Sequence, residues 1–318
     1  NQGERDEGEY LHTGDHTGID SGYLYQYDPC FDERRSPVSD ERLPSRHDVA
    51  LMNSLHSKIF ADGTEVLQSS LLARHRFPHA FSTRIGPGSG TFDLARPGES
   101  LLGTSDEVLR ANLARFSRVL GLDALEVATA RQVHGTAIVD GSLAEAAEAD
   151  VLVSDAPYRA VAVRTADCVP ILLACRRTRI VAAVHSGWRG LVADAPGAAV
   201  SHMESLGADR RNILAAIGPA IGVERFEIGS EVADEFVESG LGGCLRTGSP
   251  RPHADLFDAA RRRLLDAEIS IDSIDGAPCC TSMDPRFFSH RSDFGRSGRH
   301  LSGIVGGESR KTEDEHVD

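Results

Sequence analysis

The chain has 318 residues and a formal net charge of −14, with 34 Lys and Arg against 48 Asp and Glu. An acidic chain without a compensating basic stripe repels phosphate backbones, which excludes a nucleic-acid polymer as partner. No apolar run approaches the ~18 residues that span a bilayer, so no membrane association is expected.

Residues 1–48 hold twelve acids and five bases, net −7, and residues 308–318 hold five acids and two bases, net −3; everything between carries −4. Both ends are polar and poor in aliphatic residues. That predicts a disordered acidic N-terminal extension over 1–48 and an acidic C-terminal tail over 308–318, flanking one domain over 49–307. The first residues show no basic n-region and no apolar h-region, so no secretory leader is expected. The six Cys, at 30, 168, 175, 244, 279 and 280, are too scattered for a disulfide framework and suit reduced thiols in the cytoplasm.

Ordered structure is predicted to begin near Val49. Pro78 and Phe81, in HRFPHAFSTR, mark a turn into a strand. The Gly86-Pro87-Gly88-Ser89-Gly90 loop lacks the spacing of a dinucleotide fingerprint and the Lys of a P-loop, and reads as a surface loop. A helix is predicted over 104–120, with a Thr104–Glu107 capping box, an apolar face of Leu109, Leu113, Phe116 and Leu120, and Gly121 as the stop. Strands are predicted at 128–139, 149–154, 160–164, 171–174, 180–184 and 213–217. A second helix over 255–267 has Asp255 as N-cap and Leu256, Ala260 and Leu264 on one face, with Arg261, Arg262 and Arg263 as a solvated run. The fold class is therefore α/β, or mixed α+β: a single domain around a mixed β-sheet with flanking helices.

Three residues sit where a strand pattern gives way to a turn: His134 in RQVHG, Cys168 in TADCVP and His185 in HSGWRG. Loops at strand ends are where a rigid sheet presents functional groups. Two imidazoles and a thiolate form the ligand set of an open catalytic zinc, which lowers the pKa of a bound water towards ~7. The spacings of 34 and 17 residues match no zinc-knuckle pattern. Cys168 as a nucleophile beside His185 or His134 is an equally consistent reading of the residues alone.

The strings FPHAFSTR, RQVHG, ADVLVSD, VRTADCVPILLA, VAAVHSGWRG, IGPAIG and CTSMDPRFFSHRSDFGRSGR resemble successive blocks of the bacterial laccase-domain family. That family was long regarded as multicopper polyphenol oxidases and is now regarded as purine nucleoside phosphorylases. The resemblance runs in order from about Leu67 to Val305. It implies one zinc on His134, Cys168 and His185, which selects the metal reading. It further implies phosphorolysis of adenosine, inosine, guanosine and S-methyl-5'-thioadenosine, together with adenosine deamination, in a monomer or small homo-oligomer.

Within the matching blocks, Arg84, Arg291 and Arg299 are candidates for substrate and phosphate binding. Arg189 and Asp167 are candidate catalytic residues, Asp167 as an orienter of the neighbouring Cys168 or as a proton carrier. Trp188, the only Trp, is either core or a base-stacking wall. Departures from the family pattern are Ser292 in place of a second Arg, Gly86-Pro87-Gly88-Ser89 in place of Gly-Gly-Val-Ser, and Asp93-Leu94 in place of Asn-Leu. Cys280 is assigned to packing. The alternatives are a peptidoglycan-precursor editing hydrolase on the same metal, a copper polyphenol oxidase, and a module whose metal is structural, closed by a fourth ligand such as His290. Copper is disfavoured because multicopper sites draw on His-x-His pairs, which the sequence lacks.

Overall fold

The structure is a computed structural model that describes residues 55–122, 127–248, 250–276 and 278–307. The acidic extension over 1–48, the predicted start near Val49 and the tail over 308–318 lie outside the described residues. Strands β1 (Leu55–Ile59), β2 (Glu65–Ser69) and β3 (His79–Ser82) come first, with helix α1 (Ser70–Arg74) between the last two. Helix α2 (Asp106–Val119) precedes β4 (Val127–Ala128), β5 (Ile138–Asp140) and β6 (Val151–Ser154). Strands β7 (Ala160–Thr165), β8 (Val169–Cys175) and β9 (Val181–Ser186) follow, then helices α3 (Trp188–Val192) and α4 (Ala195–Ser205). The remainder is β10 (Ile213–Ile217), α5 (Ser230–Glu238), the small ribbon β11 (Leu245–Arg246) and β12 (His253–Ala254), α6 (Leu256–Asp266), β13 (Ile274–Gly276) and β14 (His300–Val305).

The fold is mixed α/β, and its core is built on two six-stranded sheets where the sequence suggested one. Their orders are β1-β2-β3-β14-β7-β4 and β13-β10-β8-β9-β6-β5. The pairs β4–β7, β5–β6 and β10–β13 are parallel and the others antiparallel. Alternation along each strand decides which layer a residue joins. Val161 and Val163 of β7 pack with Leu172, Ala174, Val181 and Ala183 of the second sheet, face to face. Ala160 and Ala162, one residue out of phase, pack with Phe116 and Val119 of α2. On the far side of the second sheet, Leu173 and Val184 meet Leu191, Met203, Phe236 and Leu264 from the helices. Central strands such as β8 are buried on both faces, so their sequence is a continuous apolar run.

Several boundaries differ from the sequence expectation for identifiable reasons. The N-cap of α2 is Ser105, whose hydroxyl accepts the Val108 N–H; the Thr104 hydroxyl instead donates to the Asp93 carboxylate. Asp93 is itself buried and accepts from Ala95 N–H, Ser100 Oγ and Arg299 N–H, so this departure from the family pattern is a bracing group. The predicted 128–139 strand is two short strands separated by the RQVHG loop. Strand β8 begins two residues before the expected 171, because β10 ends at Ile217 opposite Ile171 and Pro170 therefore forfeits no ladder bond there. Arg263 is buried rather than solvated: Nε donates to Leu191 O, and Nη2 to Val192 O and Ser239 O, closing the C-terminal end of α3.

Candidate metal centre

Strand register brings the three candidate ligands together. Strand β6 pairs with β9 through Val151 opposite Val184, which sets Asp150 beside His185; the His185 N–H donates to Asp150 O at 2.8 Å. On the other side of β9, Pro170 lies opposite His185 and Val169 opposite Ser186, so Cys168 arrives across from Gly187. His185 thus belongs to the strand's last turn of pairing, where the sequence reading had ended the strand at 184. Its polarity is accommodated by a buried partner: His185 Nδ1 lies 2.7 Å from Asp150 Oδ1.

The same Asp150 carboxylate builds the third ligand's loop. It accepts the N–H groups of Val133 (3.2 Å), His134 (3.0 Å) and Gly135 (2.7 Å), bending the chain so that His134 adopts φ +62°. Four donors converge on one carboxylate that is wholly buried. Burial works against its charge, but these hydrogen bonds, that of His185 first, hold it below the usual carboxylate range. Asp150 is the residue that reading the sequence overlooked. The signal was present in ADVLVSD as an acid placed immediately before an otherwise apolar strand.

One ligand atom each from His134, Cys168 and His185 lies within 4.8 Å of the others. His134 is exposed, Cys168 half-buried and His185 buried, and the two imidazole rings meet edge-on at 4.9 Å. Burial pushes the Cys168 thiol up, yet the charge on His185 and hydrogen bonds from both histidines bring it down to about 6. Burial likewise disfavours the His185 imidazolium, and the Cys168 thiolate and Asp150 raise it to about 9. A thiolate and two imidazoles gathered without a side chain between them suit a divalent metal. The spacing is tight at residue 187: a Cβ there would stand 3.1 Å from Cys168 Sγ and 3.2 Å from His134 Cδ2, so both side chains would have to give by a few tenths of an ångström. Fixing Nδ1 of His185 on Asp150 leaves its Nε2 for a ligand, the usual arrangement of a metal-bound histidine. His290 is not part of the group, which has three members among the described residues.

The other candidates surround this group to different degrees. Asp167, at φ +89°, accepts the Thr281 hydroxyl at 2.6 Å and the Arg291 N–H at 2.7 Å, so its carboxylate ties two loops to the turn that carries Cys168. Arg189 lies over the Trp188 ring at 4.2 Å and Arg84 over the Phe288 ring at 4.9 Å; neither makes an ion pair among the described residues. Arg291 donates to Arg225 O and Glu227 O, and Arg299 to Ser297 O and Gly298 O. Cys280 accepts the Gly222 N–H, a packing contact. None of the five described cysteines is in a disulfide. No helix among the described residues is long and apolar enough to cross a membrane.

Comparison with known proteins settles the lineage. The sequence model of a family described as multi-copper polyphenol oxidoreductase laccase matches residues 78–306, a span that contains all three ligand candidates. The chain belongs to that family. Among the relatives of this laccase-family protein, a purine nucleoside phosphorylase of Deinococcus radiodurans is 36% identical over 241 residues, covering 75% of this chain and 92% of the relative. A purine nucleoside phosphorylase of Mycobacterium bovis is 38% identical over 222 residues, covering 69% and 88%. The crystal structure of YlmD from Geobacillus stearothermophilus superposes with a TM-score of 0.70 at 26% identity, covering 79% of this chain and 99% of that one.

Proposed function

We propose that this protein is a zinc-dependent purine nucleoside phosphorylase acting on adenosine, inosine, guanosine and S-methyl-5'-thioadenosine, with adenosine deaminase activity as a second reaction of the same site. The observation that carries the proposal is the His134–Cys168–His185 group in a chain whose relatives are named for phosphorolysis. His134, Cys168 and His185 are the residues that would hold zinc, which would supply a Lewis acid there. Zinc is preferred to copper because the donor set is a single three-ligand group, whereas a multicopper centre needs several histidine pairs.

The chain's own residues supply the rest. Asp150 fixes the ring of His185 and the loop of His134, so neither ligand has to be ordered when substrate arrives. In phosphorolysis the ribose C1'–N9 bond breaks as a phosphate oxygen bonds to C1', and the base departs with a proton on a ring nitrogen. The site must therefore hold a phosphate dianion beside developing positive charge. Arg84 and Arg189 are the guanidinium groups assigned to that anion, since no side-chain hydrogen bond or ion pair among the described residues takes up their donors. Arg291 and Arg299 keep part of their donor set on backbone carbonyls and serve by shaping the loop. Asp167 acts as a positioning residue for Cys168 and the Arg291 loop.

The reaction is tested by incubating zinc-quantified protein with inosine. Release of hypoxanthine with ribose 1-phosphate, dependent on phosphate and lost in Cys168→Ala, supports the assignment. Hydrolysis of a serine-containing muramyl nucleotide with no action on nucleosides would transfer it to precursor editing.

A further inference from the structure

Three loops meet at the candidate centre, and each presents a large apolar side chain to water. Val133, next to His134, is 46% exposed; Met283, two residues beyond Thr281, is 66% exposed; Phe294, three residues beyond Arg291, is 95% exposed. The first loop is bound to Asp150, and the other two to the Asp167 carboxylate next to Cys168. Three residues of chain reach at most ~11 Å. Phe294 therefore lies no farther than that from Arg291, whose N–H is held by the carboxylate next to Cys168.

Neither packing nor local structure explains a phenylalanine at this place. Its φ is +51°, a left-handed conformation that a bulky side chain adopts only at a cost, and Gly295 follows at +83°. Asn or Gly would take that conformation more easily, and a polar residue would suit the exposure better. Yet the turn is braced. Asp293 N–H bonds to Ser289 O at 2.9 Å, Gly295 N–H to His290 O at 2.9 Å, and Ser292 Oγ meets Ser282 Oγ at 2.5 Å. A flat apolar ring on a braced turn of a loop tied to the carboxylate beside Cys168 is the makings of a stacking platform. Trp188 does not serve that purpose: it is half-buried against the helical layer and Arg189 covers its ring.

We propose that Phe294 stacks on the purine base of the substrate, with Met283 and Val133 completing an apolar rim around it. The proposal rests on the phosphorylase reading above and deepens it. Every purine offers the same π face whatever stands at C6 or C2, so this contact serves adenosine, inosine and guanosine alike and leaves discrimination to other groups.

The test uses the full chain, zinc-quantified, in four forms: parent, Phe294→Ala, Phe294→Asn and Phe294→Tyr. Inosine, adenosine and guanosine binding is measured by calorimetry without phosphate, and turnover with it. Phe294→Ala and Phe294→Asn are expected to raise Kd and KM about tenfold for all three nucleosides. They should leave kcat and the KM for phosphate within about twofold, while Phe294→Tyr behaves as the parent. Phe294→Asn should also melt at or above the parent temperature, because Asn tolerates the left-handed backbone; that separates lost stacking from misfolding. If the parent turns over inosine and Phe294→Ala binds it equally well, the stacking proposal is overturned and the phosphorylase reading stands. Variants that change only the sedimentation of the protein would show that a second copy covers the ring, which also overturns it. A parent that neither binds nor turns over any purine nucleoside overturns both.

Discussion

Asp150 holds more of the candidate centre in place than any of the three ligands does. It accepts three consecutive loop N–H groups and the Nδ1 of His185, all of them drawn out of water by the fold. Replacing it by Ala leaves those donors without a partner, a loss of roughly 3 kcal/mol in unfolding free energy. The same change frees both histidine ligands to reorient, so zinc affinity measured by chelator competition is expected to fall about 10–100-fold. Two other histidines set the acid limit of stability. His79 Nε2 accepts the Ser69 N–H and His300 Nε2 accepts the Phe288 N–H, both at 2.7 Å, so each ring must stay neutral to keep its bond. Burial brings both down to about 4 from the ordinary 6.5. The folded protein therefore binds fewer protons than the unfolded chain between those values. The stability these rings contribute is complete above pH ~6.5 and is lost as pH falls towards ~4, at about 3 kcal/mol for each. Denaturant unfolding at a series of pH values checks this; a flat stability from pH 6.5 to 4.5 would contradict it.

At the scale of elements, the β9–α3 junction explains why His185 is held so rigidly. The strand ends in Ser186, Gly187 follows with Cys168 and His134 packed closely against its Cα, and α3 starts at Trp188. Helix α3 has only five residues, too few to be stable alone, and its terminal carbonyls are taken by Arg263 from α6. Arg263→Ala is expected to cost about 2 kcal/mol in urea unfolding by stranding the carbonyls of Val192 and Ser239, while Leu191 O keeps the Asp194 N–H and Arg263→Lys recovers part of the loss. The sequence reading treated Arg263 as one of three solvated arginines, and only tertiary packing distinguishes it. Arg261 and Arg262 on the same helix pair with the half-buried Asp258, Arg261 itself half-buried and Arg262 more open to water. The amphipathic helices α2 and α6 and the strands β7, β9 and β10 were legible because each has a clear apolar pattern ended by a polar turn. The RQVHG segment was not, because its bend is imposed by Asp150, the residue just before β6, and leaves no local trace beyond a Gly.

Across the whole molecule, sequence separation and spatial separation part company. His134 and His185 are 51 residues apart and become neighbours because β6, β8 and β9 pair in one sheet, with His134 tied to that sheet through Asp150. Residue types at turn positions were enough to pick out the three ligands. Their convergence could not be derived from spacing and entered through the family blocks. The two-sheet architecture was hidden for a related reason: strands buried on both faces carry no alternation to say which layer they join. Of the −14 net charge, ten units belong to residues 1–48 and 308–318, so the enzyme-like segment carries −4 and is compatible with an anionic co-substrate held by arginines. The most direct measurement is product analysis of inosine incubated with protein of known zinc content, with and without phosphate. The expected result is hypoxanthine and ribose 1-phosphate in equal amounts, only with phosphate, in proportion to bound zinc and absent in Cys168→Ala. Zinc-loaded protein that leaves inosine untouched, or a Cys168→Ala variant as active as the parent, would contradict it.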